Sequence, residues 1–208
     1  MSDETEKLRG IWAKNKYYAM AEDYMKQQWE QIIWPIIRGC DFRHVVDLAA
    51  GEGRNSEYLA KVAYKLTIVD LCEENINKCQ KRFNNHSGIY YQVCDGQSIP
   101  VAAGSVSLLY CWDAMVHFEP EIVRLYLLEA QRVLEPKGKA FLHHSNYTGF
   151  CNTDWRHNPH ARNYMSKSLF SYWARKYGFR IISSELYNWG DHKNLDCVTL
   201  LEKCKCEG

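Results

Sequence analysis

The chain has 208 residues, of which 46% are hydrophobic and 25% are charged, and its formal net charge at pH 7 is +1. That length suits one domain with one core, and the near-neutral charge excludes the strongly basic surface typical of nucleic-acid-binding proteins. No apolar run approaches the ~20 residues that cross a bilayer, and the polar start, MSDETEKLRG, is unlike a secretory signal. We therefore expect a cytoplasmic protein with neither nucleic-acid nor membrane partners. The nine cysteines include no C-x-x-C pair, which favours reduced core residues over a redox or zinc site.

Helical patterning opens the chain over residues 5–38, where apolar side chains recur at three- and four-residue intervals until Pro35 interrupts them. Strand and helix patterns then alternate. Strands are predicted at 44–48, 65–70, 89–95, 106–112 and 138–144. Helices are predicted at 55–63, 73–83 and 120–134. This alternation predicts a parallel sheet with helices on both faces.

The pattern changes near the end of the chain. A helix at 168–178 is followed by strands at 179–187 and 195–202, joined by the turn NWGDHKN. Strands with so short a connection pair antiparallel. The fold class is therefore α/β, with a Rossmann-like sheet of seven mostly parallel strands, the last antiparallel, and a helical N-terminal lid.

We predict a single domain over the whole chain. Its parts are the helical segment 1–40, the alternating strands and helices of 41–145, and a polar loop with the C-terminal helix and strands over 146–208.

Carboxylates close three successive predicted strands, and ligands of open parallel sheets bind beyond these carboxyl ends. A dinucleotide fits poorly, because the G-x-G-x-x-G fingerprint has Ala49 at its first position and Ser56 at its third. Asp47 and Glu52 would also repel a pyrophosphate. The loop therefore favours a cationic ligand without phosphates.

The run Asp47-x-Ala49-x-Gly51-x-Gly53 resembles the signature loop of class I S-adenosylmethionine-dependent methyltransferases, with alanine for the usual first glycine. Residues 94–109 resemble a later element of the same family. The resemblance covers roughly residues 40–145 and implies S-adenosylmethionine as cofactor and S-adenosylhomocysteine as product. It implies that Asp47 lies near the methionine ammonium, that Asp70 binds the ribose hydroxyls and that Asp95 accepts from the adenine amino group. It also implies that residues 1–40 form a lid, 41–145 the cofactor-binding half and 146–208 the substrate loop with the C-terminal helix and strands. The aromatic residues of the lid either cover the cofactor or pack against the helices of the sheet; they are Trp12, Tyr17, Tyr18 and Tyr24. The implied cofactor-binding set is Asp47, Ala49, Gly51, Gly53, Asn55, Asp70, Leu71, Asp95, Gly96, Gln97 and Trp112.

Candidate bases stand at the ends of the fourth and fifth strands, because methyl transfer to a hydroxyl requires a positioned nucleophile and a proton acceptor. The three predicted catalytic residues are His144, Asp113 and His117. His143 and His144 point to opposite faces, and we assign the substrate side to His144, since an imidazole titrates near neutral pH. Asp113 also suits a substrate clamp, a metal ligand or a turn, and His117 also suits packing.

The polar, aromatic segment 143–166 is the expected substrate-binding element, because long loops are more often functional than idle. Its predicted substrate contacts are Asn146, Arg156, His160, Arg162 and Asn163. A solvated loop and a divalent-metal site shared with Asp113 are alternatives. No H-x-x-x-H spacing supports the metal, so none is predicted.

The variable segment favours a hydrophilic small molecule over a lipid. Similarity to small methyltransferases that modify sugars implies O-methylation of a sugar or sugar-phosphate-type metabolite in polysaccharide or natural-product biosynthesis, by a monomer or homodimer. The alternatives are an N-methyltransferase, a quinone- or lipid-type O-methyltransferase, and a non-catalytic cofactor-binding protein.

Overall fold

The structure is a computed structural model that describes residues 17–149 and 154–204. Its centre is a seven-stranded sheet in the order β3-β2-β1-β4-β5-β7-β6. The strands are β1 His44–Leu48, β2 Lys65–Asp70, β3 Ile89–Val93, β4 Val106–Cys111, β5 Leu134–Ser145, β6 Phe179–Trp189 and β7 His192–Lys203. The first five strands pair parallel, and β7 pairs antiparallel with both β5 and β6. The predicted fold class is confirmed.

The helices flank this sheet. They are α1 Tyr17–Gln28, α2 Trp34–Ile37, α3 Ser56–Leu59, α4 Glu73–Arg82, α5 Pro120–Val133 and α6 Lys167–Lys176. A π-helical turn, Trp29–Ile33, joins α1 to α2 just before Pro35, where a missing amide hydrogen disturbs regular helix. In the described part of the chain, none of the helices has the length and apolar character that crossing a membrane requires.

Each face of the sheet has its own apolar core. One face packs against α5 and α6 through residues such as Leu142 and Phe170. The other packs against the N-terminal helices and α4 through residues such as Trp29, Tyr110 and Phe141. Alternate residues of one strand therefore enter different cores, which matters below for the two histidines of β5.

Strand polarity collects the functional residues at one edge. The carboxyl ends of β1, β2, β4 and β5 meet there because these strands are parallel. Since β7 runs antiparallel to β5, its first residues reach the same edge, with Asp196 opposite Ser145. The candidate site is built at this edge.

Candidate active site

The loop from β1 to α3 contains backbone conformations that glycine adopts most easily. Ala49, Gly51 and Gly53 all have positive φ, at 55°, 58° and 83°. For Ala49 this left-handed conformation costs about 1 kcal/mol. At Gly53 an added Cβ would lie 2.8 Å from Cε2 of Phe83, so α4 packs directly against the loop backbone.

Asp47, at the end of β1, is buried and ties the loop to the sheet. Its Oδ2 accepts the hydroxyl of Ser56 at 2.6 Å. Burial raises the pKa of Asp47 to about 7; the Ser56 hydrogen bond and Arg54 oppose this shift, while Asp70 adds to it. A cation placed near such a carboxyl group stabilises its ionised form. The role of Asp47 at the methionine ammonium stays a prediction.

Asp70, at the end of β2, holds the same loop from the other side. Its Oδ2 accepts the Gly51 amide at 2.8 Å, and its Oδ1 accepts the Cys72 amide at 2.8 Å and Nδ2 of Asn75 at 3.1 Å. Burial raises the pKa of Asp70, and these donors act against it. The carboxylate is thus fixed against the glycine-rich backbone.

Asp95, beyond β3, is exposed. Its Oδ1 accepts the amides of Gln97 and Ser98 and the Ser98 hydroxyl. Burial alone would raise its pKa, but these hydrogen bonds together outweigh burial and lower it, so the group is a carboxylate. The Oδ2 atom takes part in none of these three bonds and suits a donor such as an exocyclic amino group.

These strand-end groups fit S-adenosylmethionine chemically. Acceptor oxygens at three strand ends suit a ligand that offers an ammonium, a diol and an amino group. The other predicted cofactor residues line the same edge: Asn55 accepts from the Tyr110 hydroxyl at 2.7 Å, and Trp112 donates to Gln28 at 3.1 Å. Leu71 directly follows β2, and Gly96 and Gln97 lie in the loop after β3. Their contacts with a cofactor stay predictions.

A group of charged side chains lies between this loop and the far strands; we call Arg54, Asp113, His143, Arg162 and Asp196 the charged cluster. Arg54 donates to Asp113 Oδ2 at 3.2 Å, and Arg162 lies 3.8 Å from Asp113 Oδ1. Arg162 also binds Asp196 through two hydrogen bonds of 2.8 and 2.6 Å. Apart from Arg54, which is 12% exposed, these side chains are 2% exposed or less.

The structure places His144 away from this cluster, which contradicts its assignment to the substrate side. The two histidines do point to opposite faces, but His143 is the one in the cluster, with Nε2 3.1 Å from Asp196 Oδ2. His144 stacks on Phe170 at 3.7 Å between ring centroids, in the core beneath α6, and its ring contacts Thr199. Burial lowers the pKa of His144 to about 3. A fully buried imidazole in an apolar core is a poor catalytic base.

The five predicted substrate-binding residues also differ in whether they lie in the charged cluster. Arg162 alone of the five joins the charged cluster. Asn146 uses both ends of its amide on the backbone of Lys167 and Asn194. Asn163 binds the backbone of His117 and Tyr164. These two asparagines support the loop rather than presenting free amides to a substrate.

Two of the five predicted contacts are exposed. Arg156 is paired with Asp154 on the surface. His160 packs its ring edge-on against His192 at 5.4 Å. The roles of Arg156 and His160 in binding a substrate stay predictions. Trp12, predicted to belong to the lid, lies outside the described residues.

His117, in a 3-10 turn over Met115–His117, remains at the predicted site. It is partly exposed, and its Nδ1 lies 2.7 Å from the Ala161 carbonyl oxygen. Because a carbonyl only accepts, Nδ1 carries the proton and Nε2 is the basic nitrogen. Packing around the ring, together with nearby Arg162, lowers the pKa of His117 to about 4, so it is neutral at physiological pH.

Three members of the cluster were missed in the sequence: Arg54, Asp196 and, as a functional residue, His143. Asp196 carries the same signal that identified Asp47, an isolated acid within an apolar strand, here LDCVTLL. As for metals, residues 17–149 and 154–204 contain no grouping of three or more His, Cys, Asp or Glu side chains arranged to hold one.

Comparison with known proteins agrees with this geometry. A family model described as a methyltransferase domain matches residues 45–138. The match covers just under half of the chain and includes the glycine-rich loop, Asp70 and Asp95. The resemblance seen in the glycine-rich loop is thereby confirmed.

The similar proteins include a curated relative and two solved structures. Phosphoethanolamine N-methyltransferase 1 of Caenorhabditis elegans is 26% identical over 167 residues, which are 77% of this chain and 35% of that protein. The Haemonchus contortus phosphoethanolamine N-methyltransferase 1, solved with phosphoethanolamine and S-adenosylhomocysteine, has a TM-score of 0.78 and 23% identity over 99% of this chain and 49% of its own. An S-adenosylmethionine-dependent methyltransferase of Mesorhizobium loti has a TM-score of 0.66 and 17% identity over 82% of this chain and 97% of its own. The chain thus spans about a third to a half of the two nematode proteins.

Proposed function

We propose that the protein transfers the methyl group of S-adenosylmethionine to a hydroxyl of a small polar acceptor, of the sugar type. Bound S-adenosylmethionine supplies an activated methyl on a sulfonium, and Asp47, Asp70 and Asp95 would hold its ammonium, ribose and adenine. The protein then has two tasks, to place the acceptor hydroxyl and to receive its proton.

The observation that carries this proposal is the neutral His117 beside the charged cluster. Its Nδ1 is fixed as a donor by Ala161, which makes Nε2 the atom that takes the proton from the acceptor. A pKa of about 4 keeps that nitrogen unprotonated at neutral pH. Asp113, one turn before His117 in the chain, would orient the acceptor rather than receive its proton.

A phosphoamine acceptor is the second candidate, because both nematode relatives are phosphoethanolamine N-methyltransferases. The two arginines of the charged cluster are already paired with carboxylates, which favours a hydroxyl as the methyl acceptor instead. Arg162 is bound by Asp196, and Arg54 by Asp113. A phosphate would have to displace one of these carboxylates to be recognised by a guanidinium.

The acceptor class is tested with methyl-deuterated S-adenosylmethionine, the purified protein and a fractionated cell extract, read by mass spectrometry. A parallel reaction contains phosphoethanolamine as the defined acceptor. We expect label in a neutral, sugar-like fraction, on oxygen. Label on phosphoethanolamine with none in that fraction would replace this proposal by the second candidate. Label in macromolecules alone, or none despite cofactor binding, would overturn both.

The base is tested with His117→Asn, because the asparagine amide can still donate to the Ala161 carbonyl while Nε2 is lost. We expect turnover to fall about a hundredfold with unchanged affinity for S-adenosylmethionine. His144→Asn is the matched control, expected to keep turnover near the wild-type value. The reverse result would return the base to His144.

A further inference from the structure

The backbone of Asp113 has an uncommon conformation at the centre of the charged cluster. Its φ is +56°, in the left-handed region that residues other than glycine occupy mainly where their surroundings impose it. This conformation sets the direction in which the carboxylate leaves β4, toward Arg54 and Arg162. The question is what holds it.

His143 on the neighbouring strand provides the restraint. The Asp113 amide donates to Nδ1 of His143 at 3.1 Å. Since the amide is the donor, Nδ1 is unprotonated, and the ring proton of neutral His143 is on Nε2. That nitrogen lies 3.1 Å from Asp196 Oδ2.

The ring of His143 is fixed by packing as well. It packs against both Trp112 and Trp189, at 4.3 and 5.4 Å between ring centroids, and is fully buried. The Arg162 guanidinium packs over Trp189, 4.7 Å from the ring centroid. Rotation of the imidazole would require these side chains to separate.

Asp196 completes the arrangement. Burial alone would raise its pKa, but His143 and Arg162 lower it well below the usual range, so it is a carboxylate that accepts from Arg162 and lies beside His143. The chain of contacts therefore runs from Arg162 through Asp196 and His143 to the backbone of Asp113.

We propose that His143 is a positioning residue: its unprotonated Nδ1 holds Asp113 in the left-handed conformation that aims the carboxylate at the acceptor. His143 does not exchange a proton with the acceptor. The inference deepens the proposed function, since it rests on Asp113 orienting the acceptor there.

The hydrogen bond itself is tested by NMR of the wild-type protein labelled with nitrogen-15. We expect a scalar coupling across the bond between the Asp113 amide nitrogen and Nδ1 of His143, and the tautomer protonated on Nε2. This experiment needs no acceptor, so it stands whether or not the proposed function does. Absence of the coupling, or a proton on Nδ1, would overturn the inference.

The positioning role is tested by two variants that each keep one half of the imidazole. In His143→Asn the amide oxygen can occupy the place of Nδ1 and accept the Asp113 amide. In His143→Gln the amide reaches the place of Nε2 and retains the contact with Asp196 only. Both variants lose the aromatic packing, so packing alone does not distinguish them.

We expect the Asp113 backbone chemical shifts, which report φ, to stay near wild type in the asparagine variant and to change in the glutamine variant. With the acceptor found by isotope transfer, kcat should fall about a hundredfold in the glutamine variant and be largely restored in the asparagine variant. Equal shifts and equal kcat in the two variants would show that His143 contributes packing only. If neither variant folds, the wild-type coupling decides.

Discussion

The buried carboxyl group of Asp47 should make both folding and cofactor binding depend on pH. It is 1% exposed, and burial raises its pKa to about 7. In an unfolded chain the same group titrates near pH 3.9. Between these values the folded protein retains a proton that the unfolded chain has lost, so the free energy of unfolding falls as pH rises.

The size of the effect follows from the shift. Each pH unit within that window costs about 1.4 kcal/mol, so ionising Asp47 removes about 4 kcal/mol from the folded protein by neutral pH. A cation bound beside Asp47 would favour its ionised form. The affinity for S-adenosylmethionine should therefore rise about tenfold between roughly pH 5.5 and pH 7, as the ionised fraction grows.

The assay compares wild type with Asp47→Asn by thermal unfolding and by calorimetric titration with S-adenosylmethionine across that range. In the variant, this pH dependence of Tm and Kd should disappear, with weaker binding at pH 7. Asp23→Asn, on the exposed surface of α1, is the matched control and should leave both curves unchanged. If Asp47→Asn keeps the wild-type pH dependence of Kd, the cation is not at Asp47, and the reasoning fails.

Three further results are expected. Gly53→Ala should lower the free energy of unfolding by about 2–3 kcal/mol in denaturant titration, because the new side chain clashes with Phe83 and the left-handed backbone is strained for alanine. The control is Gly104→Ala, at φ +64° in open space, which should cost only about 1 kcal/mol. Asp70→Asn should weaken S-adenosylmethionine binding about a hundredfold in calorimetry, because charged hydrogen bonds to the ribose are lost; unchanged affinity would refute the ribose assignment. Lys203→Met should cost about 1 kcal/mol in thermal unfolding, because the ammonium caps carbonyls at the end of α5, including that of Leu134 at 2.8 Å.

The sheet and the cofactor edge were predictable because their signals are local. Apolar runs ending in Asp47 and Asp70 identified strands whose ends lie where parallel topology puts ligands. Boundaries were less predictable. The helix predicted over 55–63 is regular only at Ser56–Leu59, and β5 begins at Leu134, directly after α5, because Leu134 pairs with Val106 before a register irregularity.

The choice between His143 and His144 failed for a physical reason. Alternation along β5 correctly assigned them to opposite faces, but both faces of this sheet are buried under helices. No local pattern distinguishes an apolar core from a charged one. The distinction depends on Asp196, which is distant in sequence and reaches His143 only because β7 runs antiparallel to β5.

The ion pairs of the charged cluster affect both the kind of methyl acceptor that can bind and the position of Asp113. Two arginines face two aspartates around a neutral imidazole, and removing one partner of a buried pair costs about 3–5 kcal/mol. A phosphate that recruited Arg162 would take it from Asp196, and Asp196 would then hold His143 less firmly. A hydroxyl group that receives the methyl does not need to take Arg162 from Asp196. It needs only an oxygen or nitrogen atom to accept its hydrogen bond and a base to take its proton. The same contacts that keep Arg162 from a phosphate therefore keep Asp113 in place.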